Sequence, residues 1–153
     1  GARGDRRVVE TMLSRWWANR GAHVWTTLGT ATLLAHVAVD LGLTDHFDRF
    51  VDDLAPYADR VAIIGQVGCV GPVSIALARL HAALGHVDEA REQARYALAL
   101  GERTDGFPTV LRARLLLTRP ADPSPSRDAE LADIRARARE LDMLGVAAAV
   151  GSG

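Results

Sequence analysis

Apolar residues recur along this chain at three- and four-residue spacing, which is the period of an amphipathic helix. The first such stripe has these apolar positions: Val8, Val9, Met12, Leu13, Trp16 and Trp17. Further helices are predicted over residues 24–41, 45–56, 72–84, 88–103, 109–119 and 127–143. The pattern gives about seven helices, so the sequence predicts an all-α fold.

Residues 61–65 (VAIIG) have a different pattern. They are apolar, mostly β-branched and bounded by turn-forming residues, as in a short strand. The rest of the sequence offers no evident partner strand, so we predict no sheet and interpret this segment as buried linker or the start of a helix. The segment 119–127 is rich in proline and serine and is predicted to be a flexible loop.

The predicted helices repeat around two glycines. Gly42 and Gly85 lie 43 residues apart, and each stands between two helices, where a left-handed residue closes a tight turn. Aligning them pairs Leu34 with Leu77, Ala35 with Ala78, Phe47 with Ala90, Val51 with Ala94, and Leu54 with Ala97. A third copy, 39 residues on, places Ala129 and Ala136 at the alanine positions of the second helix. Small residues let antiparallel helices approach closely, and each hairpin needs a neighbour to cover its apolar face.

The unit LARLHAALGHVDEAREQARYAL closely resembles a tetratricopeptide repeat, whose glycine-turn-alanine signature is matched by Gly85, Ala90 and Ala97. The copies lie 39–43 residues apart, whereas that repeat usually has about 34 residues, so the array is irregular. We predict one domain over 1–153, a superhelix of stacked antiparallel hairpins with repeats at 24–57, 71–104 and 108–143 and a helix of a preceding repeat at 1–21. An ordinary helical bundle with alanine-rich packing is the alternative.

Three further stretches indicate a wider family. VWTTLGTATLL around Trp25, LAPYA at 54–58 and GCVGPV at 68–73 resemble the carboxy-terminal helical-repeat region of LuxR-type, MalT-like ATP-dependent transcriptional regulators and of related proteins with class III nucleotide-cyclase domains. The resemblance implies a sensing or scaffolding part of a cytoplasmic signalling protein. The chain departs from the full family pattern in lacking a Walker A sequence and a terminal helix-turn-helix. It opens on Gly1, and we expect it to be a piece of a larger protein.

Composition narrows the expected partners. The net charge of −1 gives no electrostatic reason for binding nucleic acid. The apolar runs are shorter than the about 20 residues of a membrane-spanning helix, so we expect no membrane partner. All 18 basic residues are arginine, which excludes lysine-dependent catalysis. The single cysteine, Cys69, cannot form an internal disulfide, in agreement with a cytoplasmic location.

Few residues suggest chemistry. The histidines are His23, His36, His46, His81 and His86. None of them forms the i, i+4 pair that one helix face would present to zinc, so we predict no metal site, no cofactor, no catalytic residues and no enzyme. Cys69 has small, apolar neighbours and no nearby cation to lower its pKa. We interpret it as a buried packing residue at a tight helix entry.

If the hairpins stack as in tetratricopeptide proteins, the first helix of each hairpin lines a concave groove. The resemblance then directs five polar residues into that groove: Thr32, His36, Asp40, Arg79 and Arg114. Such a surface suits a peptide, another helix or other domains of the parent chain, and we predict a regulatory domain that acts by binding a partner or effector. The alternatives are a homo-oligomerisation scaffold and a small all-α enzyme that uses the same groove.

Overall fold

The computed structural model of the protein describes residues 2–19, 27–66, 68–118 and 124–150. The helices are α1 (Ala2–Ala18), α2 (Thr27–Asp40), α3 (Phe47–Leu54), α4 (Val73–Leu84), α5 (Val87–Arg103), α6 (Phe107–Thr118), α7 (Pro125–Glu140) and α8 (Leu144–Ala149), and the strands are β1 (Val61–Ile64) and β2 (Gly68–Pro72). Short 3-10 turns, Thr44–His46 and Ala55–Tyr57, flank α3. The predicted all-α character is confirmed, and the described ranges contain eight α-helices where the sequence predicts about seven.

Four helices end in one hydrogen-bonding pattern, in which an amide beyond the helix donates to a carbonyl five residues earlier. These bonds join Leu43 to Ala38, His86 to His81, Gly106 to Gly101 and Met143 to Ala138, at 2.8–2.9 Å. The left-handed residues just before the donors are Gly42 (φ 63°), Gly85 (82°), Asp105 (49°) and Asp142 (53°). The turns predicted at Gly42 and Gly85 are therefore present, and two more turns use an aspartate in the same place.

The main core forms where α2, α3, α4 and β1 meet. Its fully buried residues include Ala35, Ala38, Phe47, Phe50, Leu54, Ala62, Leu77 and Leu80. Helix α1 joins this core through the buried Leu13 and through Trp16 and Trp17, whose rings lie 6.5 and 5.0 Å from that of Phe50. The alanines on α2 permit close packing, and the large side chains of α3 fill the space between the helices.

The first helices of the predicted hairpins are successive neighbours. Helix α4 packs against α2, α3, α5 and α6. Helix α6 packs against α5 and α7, and α8 packs against α7. Side chains on α2, α4 and α6 can therefore combine into one surface. Trp25 and the start of the first predicted repeat lie outside the described residues.

A two-stranded antiparallel sheet lies between α3 and α4, contrary to our expectation of no sheet. Strand β1 pairs with β2 so that Val61 stands opposite Pro72 and Ile64 opposite Gly68, with an irregularity after Ala62. The interpretation of residues 61–65 as linker or helix start is therefore wrong. The sequence does not indicate the partner strand, because β2 is rich in glycine and proline, residues that are depleted in strands.

Helix α2 packs directly against this hairpin through a glycine. A Cβ atom added at Gly29 would stand 2.1 Å from the carbonyl oxygen of Ile63 and 2.8 Å from the side chain of Ile64. No other residue fits there without moving the strand. Gly29 therefore determines how closely α2 and β1 approach each other.

Cys69 lies on β2, opposite Ile63, and is exposed. The prediction of a buried packing cysteine is wrong because residues Gly68–Pro72 form strand β2, and Cys69 lies in its exposed first part, before the chain becomes buried at Pro72. Helix α4 begins at Val73, after the extended Pro72.

Helix α7 has a different register from the one predicted. Ala129 and Ala136 are exposed, whereas Ile134 and Ala138 are fully buried in a second core with residues of α6. The alignment of the third copy is therefore wrong. Part of the predicted loop 119–127 is also helical, since α7 begins at Pro125, after the N-cap Ser124. Residues 119–123 lie outside the described ranges.

Candidate functional site

A polar cluster joins α2 to α4. His36 and Asp40 are one helical turn apart on α2, so their side chains lie on the same face. Arg79 of α4 donates from Nη1 to Nδ1 of His36 at 3.0 Å and from Nη2 to Oδ1 of Asp40. The structure thus brings together three of the residues that the resemblance directs into one groove.

The hydrogen bond to His36 fixes the protonation of the imidazole. A guanidinium can only donate, so Nδ1 accepts, and the ring proton of the neutral histidine lies on Nε2. Burial, followed by the charges of Arg79 and Arg112, lowers the pKa of His36 to about 4, although Asp40 opposes the shift. His36 is therefore neutral at pH 7 and contributes an acceptor but no charge.

Arg112 of α6 adds a second guanidinium to this surface. The side chain is exposed, its charge acts on His36, and its Nη1 lies 3.9 Å from the position that a Cβ would take at Gly71 of β2. Within the ranges that the structure describes, Arg112 forms no ion pair. We define the polar face as His36, Asp40, Arg79 and Arg112. Three consecutive first helices contribute to it.

The sequence pattern missed Arg112. The resemblance directs Arg114 into the groove instead, two residues further along α6, which corresponds to about 200° around a helix. The apolar run of residues 115–117 blurs the helical period there and hides which side is buried. The burial of Leu111 and Leu115, four residues apart, is the feature of the structure that resolves it.

Arg114 binds α7. Its Nε donates to Oε1 of Glu130 at 2.6 Å, and its Nη2 donates to Oδ2 of Asp133 at 2.7 Å. The hydrogen bond from Arg114 lowers the pKa of the Glu130 carboxyl, and the same bond raises the pKa of Arg114. The charge of Arg114 is thus used to join α6 to α7, away from the polar face.

Thr32 is fully buried in α2. Its Oγ1 donates to the carbonyl oxygen of Leu28 at 2.7 Å, one turn earlier. The hydroxyl is therefore satisfied within its own helix, and Thr32 offers no surface to a partner.

An open cavity of about 490 Å³ lies between α5, α6 and α7. Leu98 and Leu117 supply apolar lining, and Arg114 and Glu130 line it as an ion pair. A second arginine in the wall, Arg127, donates from Nε to the carbonyl oxygen of Thr118 at 3.1 Å. The two guanidiniums of this cavity therefore both have partners within the fold, unlike that of Arg112.

The other described histidines pack against aromatic rings. His81 and His86 lie with ring centroids 5.8 Å apart at the end of α4, where burial and then His86 lower the pKa of His81. His46 packs on Trp17 with ring centroids 5.1 Å apart. Among the described residues, no group of three or more histidine, cysteine and acidic side chains could hold a metal ion. His23 lies outside the described ranges.

Comparison with known proteins gives no match: no family model, no curated protein and no solved structure is detectably similar to this chain. In the described part of the chain, no helix combines the length and the apolar character needed to cross a bilayer.

Proposed function

We propose that this chain is a regulatory or protein-interaction domain of a larger cytoplasmic signalling or transcriptional-regulator protein, and that it binds its partner on the polar face. The observation that carries this proposal is the bridge from Arg79 to His36 and Asp40. The exposed Arg112, which forms no ion pair within the described ranges, adds its charge to that of Arg79 at His36. The partner is a protein or peptide or another domain of the parent chain, with no direct contact to nucleic acid or membrane.

The order of helix packing supports a stacked-hairpin array as the framework of this domain. Helix α4 contacts both α2 and α6, so in a stacked array side chains from three hairpins would form a surface longer than a single helix. Grooves of that kind suit an extended or helical peptide. The resemblance to tetratricopeptide arrays and to the helical region of LuxR-type regulators agrees with this proposal.

Binding of a partner to the polar face can regulate the parent protein if the partner binds one arrangement of the attached domains more tightly than another. A ligand shifts such an equilibrium only by the difference between its affinities for the two states. The bridge between α2 and α4 is suited to this because it joins the first helices of two predicted hairpins. A partner that competes for Arg79 would therefore change the contact between these two helices.

The proposal is tested by selecting displayed peptides on the immobilised protein. Enriched peptides are then compared on the wild type, on Arg112→Gln and on Arg95→Gln, a matched control at an exposed position of α5. We expect peptides that bind the wild type and Arg95→Gln but lose binding to Arg112→Gln. Selection of peptides that bind all three proteins equally would contradict a binding role for the polar face.

A second function, a homo-oligomerisation scaffold, is favoured by exposed apolar side chains at the two ends of the described chain. Val8 and Met12 lie one turn apart on α1 and are 60% and 54% exposed, and Leu144 on α8 is 73% exposed. Sedimentation velocity over a range of protein concentrations tests this function. A mass that rises with concentration in the wild type and stays monomeric in Met12→Glu would support the scaffold, and a monomer throughout would exclude it.

A further inference from the structure

The cavity between α5, α6 and α7 is a groove with α6 as its floor. Helix α5 packs against α6, and α6 packs against α7, so α5 and α7 form the two walls. Its volume of about 490 Å³ lies within the range of small-molecule sites, which is about 300–1,000 Å³. We define the α6 groove as the part of this cavity lined by Leu98, Glu102, Leu117 and Arg127.

The two walls of the α6 groove carry one uncompensated charge of each sign. Glu102 on α5 is exposed and forms no ion pair within the part of the chain that the structure describes. Arg127 on α7 donates from Nε to the neutral carbonyl oxygen of Thr118 at 3.1 Å, and no carboxylate of the described residues pairs with it. The paired Nη donors of its guanidinium are therefore left for an acceptor from outside.

The other two charged groups of the lining are bound to each other. Arg114 donates to Glu130 at 2.6 Å, and this pair joins α6 to α7. The remaining surface that a ligand can contact includes apolar side chains, Leu98 one turn before Glu102 on α5 and Leu117 on α6. The cavity thus presents one free carboxylate, one free guanidinium and an apolar surface.

We propose that the α6 groove binds a small zwitterion with an apolar side chain, such as the free amino acid leucine. The ammonium group of the ligand binds Glu102, its carboxylate accepts from the Nη donors of Arg127, and its side chain covers Leu98 and Leu117. The site does not involve the polar face, so this inference goes beyond the proposed function.

Charge favours a zwitterion over a simple anion or cation. An anion bound by Arg127 would share the cavity with the carboxylate of Glu102, which repels it, and a cation bound by Glu102 would be repelled by Arg127 in the same way. Glu102 and Arg127 line one cavity but form no ion pair with each other. A ligand with both charges satisfies the two side chains at once, through charge-assisted hydrogen bonds, which are the stronger kind.

Occupancy of the α6 groove affects how α7 is held. Helix α7 packs against α6 and α8, and a ligand that contacts Glu102 and Arg127 adds a direct link from α7 to α5. A ligand that binds only the folded protein also stabilises it by mass action. The ligand is therefore expected to raise the Tm of the protein in proportion to its occupancy.

The test is an NMR titration of the intact chain with L-leucine, with three matched probes. N-acetylleucine lacks the ammonium group, leucinamide lacks the carboxylate, and glycine lacks the apolar side chain. Leucyl-leucine carries the same two charges farther apart and shows which separation fits. Backbone amide signals report on folding, and the Nε–H signal of Arg127 reports on contact at the α7 wall.

Glu102→Gln is the primary variant, because an exposed side chain can be replaced without loss of the fold. Glu92→Gln is its matched control, at an exposed position of the same helix that does not line the cavity. Arg127→Gln is the second variant. Since it also removes the bond to Thr118, its backbone spectrum is compared with that of the wild type before its affinity is interpreted.

We expect saturable binding of leucine and at least about tenfold weaker binding of N-acetylleucine and leucinamide, as for the loss of one charge-assisted bond. Glu102→Gln should weaken leucine binding about tenfold and remove the preference for leucine over N-acetylleucine. A merely structural role of Glu102 would leave that preference unchanged. Glu92→Gln should bind like the wild type, and glycine should bind more weakly than leucine.

Tighter binding of leucyl-leucine than of leucine would support a zwitterion and identify a dipeptide as the better fit. Three results would overturn the proposal: no saturable binding of either zwitterion, equal affinity for leucine and N-acetylleucine in the wild type, or unchanged leucine affinity in Glu102→Gln. None of these results bears on peptide binding at the polar face, which depends on other residues.

Discussion

Nη1 of Arg79 and Nδ1 of His36 lie 3.0 Å apart, and this contact joins α4 to α2 only while the imidazole is neutral. A protonated histidine has N–H groups at both ring nitrogens, and neither can accept from a guanidinium. Protonation would therefore replace a hydrogen bond by the repulsion of two cations. The helix pair at the centre of the polar face is in this way coupled to pH.

Stability should consequently fall on acidification. The pKa of His36 is lowered from 6.5 to about 4 in the folded protein, so below pH 6.5 the unfolded chain binds a proton that the folded protein does not. The free energy of unfolding then decreases as pH falls from about 6.5 to about 4, by up to about 3 kcal/mol from this residue. Urea denaturation across this pH range should show a steeper decline for the wild type than for His36→Asn, which keeps an acceptor but cannot be protonated. Parallel pH profiles would contradict this role of His36.

Gly29 should be intolerant of even a methyl group. In Gly29→Ala the new Cβ would stand 2.1 Å from the Ile63 carbonyl oxygen, so α2 and the hairpin must separate. We expect a loss of about 3 kcal/mol, at the upper end for overpacking. The matched control is Gly145→Ala in α8, where nothing lies within 4 Å and helix propensity predicts a gain of up to about 1 kcal/mol. Thermal and urea denaturation would measure both, and similar effects of the two substitutions would be evidence against the close contact.

The register of α7 can be tested by two substitutions on its opposite sides. Ile134→Ala removes a fully buried side chain from the second core and should cost about 2–5 kcal/mol. Ala136→Ser is at an exposed position and should change stability by less than about 0.5 kcal/mol. The register predicted from sequence, with Ala136 buried, requires a larger effect of Ala136→Ser. Equilibrium unfolding of the two variants decides between the registers.

Cys69 should react in the native protein. Its side chain is exposed on β2, so a chromogenic disulfide reagent such as Ellman's should modify one thiol per chain without denaturant. Its rate should be close to that of the unfolded chain, after correction for the pH dependence of thiolate formation. A thiol that reacts only after urea is added would show that the residue is buried, as the sequence interpretation had it.

The sequence predicts the fold best where a residue type has one common structural role, as glycine does in the left-handed turn at a helix end. Gly42 and Gly85 both take positive φ, and alignment on them pairs positions that are buried or half-buried in the first two hairpins. Asp142 takes the same left-handed conformation, but the sequence does not indicate this turn, because aspartate occurs in many other local structures. Without that turn as a marker, the alignment of the third repeat copy depends on residue spacing alone and gives the wrong register for α7.

The hairpin and the site illustrate a different limit. Strand β1 has a composition typical of strands. Strand β2 pairs with it through backbone hydrogen bonds, but its glycines and proline give no alternation of apolar and polar side chains that would identify a strand in the sequence. At the site, the resemblance to tetratricopeptide arrays was enough to direct His36, Asp40 and Arg79 to one groove. Arg112 could not be placed in this way, because its position depends on how far α6 is rotated about its axis, and packing against α4, α5 and α7 together determines that rotation.

The central claim is that the protein binds a peptide partner on the polar face, to which Arg112 belongs. The most direct measurement is the affinity, by fluorescence anisotropy, of one peptide enriched on the immobilised protein for the wild type, Arg112→Gln and Arg95→Gln. Binding about tenfold weaker for Arg112→Gln, with a reduced salt dependence, and unchanged for Arg95→Gln is the predicted result. Equal affinities for Arg112→Gln and Arg95→Gln would contradict the account.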